Sequence, residues 1–246
     1  MVSNDSEHLR NGLLAGMPSA GLAGLARHLE IVPLTSRSVL FETGKPLQHV
    51  YFPHSGLVCL MACMREGATE TAAVGREGFL GFEAVLGGDS PANQGLVQLA
   101  GTASRLPVAA LRAAMLEHSQ IRDLLLRYVR FFVIQALQAV ACNTLHEVEE
   151  RCAKWLLLAH DRDREADTLH LTQEFLAEML GVHRPSVTIV ARTLQRAGLI
   201  QYSRGVIKIT DRRGLEEAAC ECYGVVKRAL DDILPPASTP NVVTPH

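Results

Sequence analysis

The sequence lacks a basic and then apolar leader. Residues 1–8, Met-Val-Ser-Asn-Asp-Ser-Glu-His, are polar and acidic, so no secretory signal is expected there. An uninterrupted apolar run is missing too. The most apolar stretch, Tyr128 to Leu145, is broken by Arg130, Gln135, Gln138 and Asn143. That is too polar for a lipid-facing span of about 20 residues, so the stretch reads as a buried helix and no membrane partner is expected. No C-x-x-C occurs among the six cysteines, Cys59, Cys63, Cys142, Cys152, Cys220 and Cys222. The commonest zinc and redox spacings are therefore absent, and the reading is a cytoplasmic chain with free thiols and no metal. Cys220-x-Cys222, placed on a helix, points its thiols to different faces and adds nothing to a zinc site. Catalytic signatures are absent as well. There is no H-E-x-x-H, P-loop or G-x-S-x-G, and His146-Glu147 opens a zincin pattern without its second histidine. The chain does not read as an enzyme. Net charge is nearly absent, with 24 basic residues against 26 acidic ones, which taken whole points away from nucleic acid.

What is present is a chain of 246 residues with 48% hydrophobic and 20% charged residues, the balance of a globular protein. Leucines at 9, 13, 14, 22, 25 and 29 give residues 1–30 the look of a helical lead-in. From Ile31 to Leu106 short apolar runs alternate with Gly and Pro, as in Val39-Leu-Phe, Val50-Tyr-Phe, Leu57-Val-Cys-Leu-Met, Thr71-Ala-Ala-Val and Leu96-Val-Gln-Leu. Short strands at this spacing predict a small β sandwich, roll or barrel, with a hairpin over 57–74. After Pro107 the texture becomes helical. Val108 to His118 reads as a short helix and Ile121 to Thr144 as a long one. Ile121, Leu125, Tyr128, Phe132, Gln135, Ala139 and Cys142 step alternately by four and three, the spacing of a coiled-coil seam. A homodimer along that seam is expected, with Gln135 fixing register through an amide pair. Phe131 and Ile134 widen the apolar face, and a buried helix of a monomer fits the same period. Glu147 to Asp161 forms another amphipathic helix, 161–167 a charged solvated connector, and 235–246 a disordered tail.

Residues 172–215 are the informative part. Thr172 suits an N-cap for a helix ending at Gly181. Val182 and His183 make a short turn, and a second helix runs from Arg184 to Ala197, with Pro185 tolerated in its first turn. Two short helices joined by a tight turn form a helix-turn-helix. Leu199 to Thr210 then alternates around Ser203-Arg-Gly205, a two-stranded wing. This segment holds seven basic residues against three acidic ones, a local charge of +4, and leaves −6 on the rest of the chain. Basic charge is thus concentrated where phosphate contact requires it.

With these features together, the sequence resembles the Crp/Fnr family of bacterial transcription regulators. The most specific stretch runs from Leu171-Thr-Gln-Glu-Phe-Leu-Ala-Glu-Met-Leu-Gly-Val-His-Arg-Pro-Ser-Val-Thr through Leu194-Gln-Arg-Ala-Gly-Leu-Ile200. The resemblance implies an α+β chain. Its parts are an N-terminal double-stranded, jelly-roll-like β-roll for an effector (1–118), a dimerisation helix (119–145) and a C-terminal winged helix-turn-helix (146–234). It also implies double-stranded DNA with a palindromic operator as partner, with RNA polymerase a candidate partner. Arg184 falls at the position that reads bases, where arginine makes a bidentate contact to guanine. Pro185 replaces a glutamate, and Ile189 stands where some members place an arginine, so the operators of familiar members do not transfer. Ile189 is read as facing a thymine methyl. His183 in the turn, with Ser186, Thr188, Arg192 and Arg204, are candidates for phosphate or groove contacts, while Thr172 and Gln173 anchor the first helix.

The roll departs more from that pattern. Gly78-Phe79-Leu-Gly81 fits the glycine framework of cyclic-nucleotide binders, but Phe82 stands at the ribose glutamate position and Glu83 is one place late. Gln94-Gly95 falls at the phosphate arginine pair. Without that arginine a buried cyclic phosphate has no charge partner, so cyclic AMP is not expected. Residues 1–58 contain no cysteine, which removes an N-terminal iron–sulfur cluster. No cofactor is predicted, although His28, His49 and His54 keep haem ligation open, and a small-molecule effector stays open too. An alternative reading is a ligand-sensing interaction module whose winged helix does not bind DNA.

Overall fold

The computed structural model describes residues 6–65, 67–162 and 168–234. The expected disordered tail and most of the charged connector lie outside them. A buried asparagine starts the architecture. Asn11 caps helix α1 (Gly12–Ala15), its Oδ1 accepting from the Leu13 and Leu14 amides. Its Nδ2 donates to the Pro53 carbonyl at 2.9 Å and to that of Gly78 at 2.8 Å. One fully satisfied side chain thus fixes the lead-in onto the roll, where an unpaired buried amide would be costly. Helix α2 (Ser19–Ala26) follows.

The roll is two antiparallel sheets. One has the order β1 (Glu30–Leu34), β7 (Gly101–Pro107), β3 (His49–Pro53), and the other β2 (Val39–Phe41), β6 (Gln94–Leu99), β4 (Leu57–Met64), β5 (Gly67–Val74). The β4–β5 hairpin is the one expected, pairing Val58 with Val74 and Met64 with Gly67. Between the sheets lie Leu34, Val58, Leu60, Val74, Leu80, Val97 and Ala103.

Helix α3 (Val108–Glu117) leads into α4 (Ser119–Leu145), which has 27 residues. By length and composition α4 is apolar enough to cross a membrane. Its inward face is instead packed on the roll. That packing corrects the expected dimer seam. Ile121, Leu125, Tyr128, Phe132, Gln135 and Cys142 are all buried inside their own protomer, and Ala139 is half-buried. Tyr128 packs on Phe79 and Phe131. The long helix is apolar on two faces, both with a 3.5-residue period, and the roll takes the face that holds the large aromatics. The outward stripe is a different set, with Leu126 41%, Val133 50%, Leu137 67% and Val140 68% exposed.

The Gln135 side chain turns into its own protomer. It accepts a hydrogen bond from Arg162, whose Nε donates to Glu77 at 2.8 Å. Arg162 closes helix α5 (Val148–Arg162) and is buried, not solvated as the charged run suggested. Glu77 sits in the turn after β5 and also accepts from the Gly75 amide. Roll, long helix and α5 therefore meet at one buried charge, which is held by its counter-ion and a neutral acceptor. Around it, a core of Leu57, Cys59, Met61, Ala73 and Leu99 from the roll packs against Trp155, Leu156, Phe175, Leu176 and Met179.

The C-terminal part contains β8 (Leu169–His170), α6 (Gln173–Leu180), α7 (Arg184–Arg196), β9 (Ile200–Ser203), β10 (Val206–Ile209), α8 (Arg212–Ala218) and α9 (Cys222–Asp231). Cys220 precedes α9 and does not lie on it. The helical period that would separate residues i and i+2 therefore does not apply, and the expected divergence of the Cys220 and Cys222 thiols is incorrect. Both are buried in one cluster with Cys142.

Candidate nucleic-acid interface

Local rules build this site. Thr172 Oγ1 accepts from the Phe175 amide at 3.2 Å and opens α6. Gly181 closes it at φ 61°, the left-handed conformation that glycine adopts without penalty. The Val182 amide bonds back to Ala177, so α7 starts after a three-residue turn. Proline at its second position costs no hydrogen bond, because first-turn amides have no intrahelical acceptor. Val187, Val190, Ala191 and Leu194 face inward and are buried. That leaves the opposite face of α7 in solvent.

On that outward face stand Arg184, Pro185, Ile189 and Arg192, with His183 exposed in the turn before them. Ile189 is 67% exposed, with no apolar packing role to explain it. Ser186 and Thr188 are half-buried at its edge. Thr188 Oγ1 donates to Gln173 Oε1 at 2.9 Å, which joins the two helices and leaves the Gln173 amide nitrogen for a ligand. The Thr172 hydroxyl keeps its proton for a further acceptor, because in the cap it acts only as an acceptor. Arg184, Arg192 and Arg204 have no carboxylate partner among the described residues.

The wing is a two-residue hairpin. Arg204 and Gly205 both take positive φ, 49° and 77°, the signature of a type I′ turn whose twist matches the strands. Placing an arginine there projects its side chain from the wing tip. β8 adds a third strand to the wing by pairing with β10. No local signal in the sequence marks so short a strand. The basic count of this segment needs one correction. Arg212 is tied to Asp161, Glu216 and the Tyr223 hydroxyl, and Arg213 to Glu217. The cations left for phosphate are Arg184, Arg192, Arg196, Arg204 and Lys208, all exposed, while Arg213 is held only by a surface pair with Glu217.

The expected effector pocket is occupied by the protein's own rings. Phe79 stacks on Phe52 with centroids 5.5 Å apart, and Phe82 lies on Phe132 at 4.4 Å. Phe41 covers Gly95, within 2.7 Å of where a Cβ would stand. The turn of Gly78 presses against the Tyr128 ring, and Gly81 starts a short 3₁₀ turn at Phe82–Ala84. Glu83 has one carboxylate oxygen buried without a partner, and burial raises its pKa. The Gln94 side-chain oxygen lies 4.0 Å from the Cys63 thiol. Gln94 and Gly95 supply no charge for a phosphate.

The histidines considered for haem differ. His54 is buried, 2.6 Å from the Ser104 hydroxyl and 3.3 Å from that of Thr102. Burial lowers its pKa to about 4. Both of its ring nitrogens are engaged in the roll. His28 receives a hydrogen bond from Arg27 on the surface, and His49 sits half-buried on β3.

Comparison with known proteins agrees with this geometry. Residues 31–118 match the cyclic nucleotide-binding domain and residues 150–218 the Crp-like helix-turn-helix domain. The structure is similar to FixK2 from Bradyrhizobium japonicum, with a TM-score of 0.69, 16% identity, and coverage of 78% of this chain and 98% of that one. It is also similar to the c-di-GMP responsive global regulator CLP of Xanthomonas campestris, with a TM-score of 0.61, 16% identity, and coverage of 78% and 99%. A CRP/FNR-family transcriptional regulator from Thermus thermophilus is 26% identical, with a TM-score of 0.53 and coverage of 77% and 98%. Among curated proteins no sequence matches significantly. The two domains, in that order and joined by one long helix, make this chain a member of the Crp/Fnr family of transcription regulators.

Proposed function

We propose that the protein is a homodimeric, sequence-specific DNA-binding regulator that reads a palindromic operator with α7 in the major groove. The observation that carries this reading is the outward face of α7. It presents Arg184, Ile189 and Arg192 to solvent, flanked by Arg204 at the wing tip and the Gln173 amide on α6. Arg184, at the helix start, is placed to address guanine, and Ile189 a thymine methyl. Arg192, Arg204, Ser186, Thr188, Thr172 and Gln173 supply backbone contacts, which fix register and carry no sequence information. A second copy joins through the exposed stripe of α4, so two copies of α7 face successive major grooves. The aromatic filling of the roll and the missing phosphate arginine support an effector other than cyclic AMP, or none. Contact with RNA polymerase and a cytoplasmic setting belong to the same reading.

Gel retardation on DNA upstream of bacterial promoters tests it. Binding should be specific and should weaken steeply with salt, and Arg184→Ala should cost about 1–3 kcal/mol on the specific site. Equal binding of wild type and variant to every fragment would favour a module that does not read DNA.

A further inference from the structure

The long helix and the last helix meet at a cluster of groups for which the regulator reading has no use. Cys142 lies near the end of α4, and His146 follows one turn later at its C-cap. Cys220 and Cys222 flank Glu221 where α9 begins. The three sulfurs and one imidazole nitrogen all lie within 4.8 Å of one another. Cys142 and Cys220 sulfurs are 3.5 Å apart, and the Cys222 sulfur is 3.5 Å from His146 Nδ1. A tetrahedral zinc ion, with Zn–S about 2.3 Å and Zn–N about 2.0–2.1 Å, has edges of about 3.8 Å between sulfurs and about 3.6 Å from sulfur to nitrogen. Both of these edges, at 3.5 Å, lie close to those values.

The surroundings match a metal shell as well. Cys142 and Cys222 are fully buried, Cys220 is 4% exposed and His146 is half-buried at the rim, and four protein ligands leave no coordination position for water. Lys154 Nζ donates to the Cys142 sulfur at 3.1 Å, and Gln138 Nε2 to the Cys222 sulfur at 3.1 Å. N–H donors of this kind stabilise thiolates. The other imidazole nitrogen of His146 is 3.2 Å from the Glu221 carboxylate. That contact holds the ring with Nδ1 turned toward the sulfurs, the outer-shell arrangement found around metal-bound histidines. Three thiolates around a dication leave a single negative charge, and Lys154 lies beside it to offset that charge.

We propose that Cys142, His146, Cys220 and Cys222 bind one zinc(II) ion per chain in a closed structural site. Binding releases the thiol protons to solvent and changes no oxidation state. The ion clamps the start of α9 to the end of α4, and so holds the C-terminal domain at a fixed angle to the long helix. A Cys142–Cys220 disulfide would use two of these groups, but would leave Cys222, His146 and the Glu221 contact unexplained. The site stands on these four residues alone, and its test contains no DNA. Its failure would therefore leave the proposed function untouched.

The test is metal content and cobalt(II) uptake of the full-length protein under anaerobic, reducing conditions. Wild type should carry one zinc per chain. Its cobalt form should show the strong visible bands of tetrahedral thiolate coordination, with a charge-transfer band in the near ultraviolet. Cys220→Ser and His146→Ala should lose or alter those bands, with the fold checked by circular dichroism. Glu221→Gln should keep them, with affinity about 10–100-fold lower. Cys63→Ser, at an exposed thiol of the roll, should match wild type. Wild type without tetrahedral cobalt bands would overturn the proposal, as would bands unchanged in both ligand variants. A metal-free protein whose mass shows a Cys142–Cys220 disulfide would overturn it too.

Discussion

His54 shows how far a single residue's environment departs from its type. Its ring is enclosed by Ser104, Thr102 and His8, with Glu7 and Arg10 nearby. Burial favours the neutral form strongly enough to bring the pKa to about 4 against the usual 6.5. Between those values the unfolded chain binds a proton that the folded chain refuses. Stability from this group is therefore complete above about pH 6.5 and declines as pH falls toward 4. His54→Gln should flatten that limb of a plot of melting temperature against pH, and an unchanged slope would mean that other groups cause it. The sequence alone leaves His54 open as a haem ligand, because a histidine's partners are invisible until the strands pair. Ser104 lies 50 positions along the chain. Arg184, in contrast, was legible, because its exposure follows from a cap, a turn and a stripe that all lie within one short segment.

At the scale of elements, α4 is the instructive case. Its apolar residues satisfy a coiled-coil period along two separate seams, and periodicity cannot rank them. The aromatic seam of Tyr128 and Phe132 has the larger burial to gain, and the roll covers it. The smaller stripe is the one left for a second copy. Leu126, Val133, Leu137 and Val140 follow steps of seven, four and three, and Arg130 takes the intervening place. Leu137→Glu puts a charge on the most exposed part of that stripe, away from the roll. If the proposed dimer forms along this stripe, light scattering should find dimers for wild type and monomers for the variant, with the circular dichroism of the fold retained. A dimer that survives this change would place the interface elsewhere. The helix-turn-helix needed no such arbitration. Its signals are capping groups, a left-handed glycine and one amphipathic period, each set by neighbours a few residues away. Long-range convergence, such as that of Cys142 with Cys220, leaves no trace in local spacing.

For the whole molecule, charge and packing divide the chain differently. Charge separates an acidic body from a basic reader, though Arg212 is tied to Asp161 and Glu216. Packing joins what charge separates, through the core that runs from Leu57 and Met61 to Phe175 and Met179. Arg162 is the polar centre of that junction. Arg162→Met leaves Glu77 buried without its cation and should cost about 3–5 kcal/mol in urea unfolding. Adding Glu77→Leu should recover much of the loss, since a buried ion pair exchanged for apolar groups is often near neutral. A single variant as stable as wild type would show that the pair is solvated.

The same junction bears on how this reader can be reused. A chimaera carrying residues 146–234 on a roll without a glutamate at the Glu77 position would bury Arg162 with no counter-ion to meet it. Trp155 and Phe175 would face a floor of the wrong shape. Grafts that move the boundary so that the β4–β5 hairpin and the Glu77 turn travel with the reader should fold, and simpler splices should aggregate. Here the unit that must move together is the interface between the two domains, and modular exchange at the linker would cut through it.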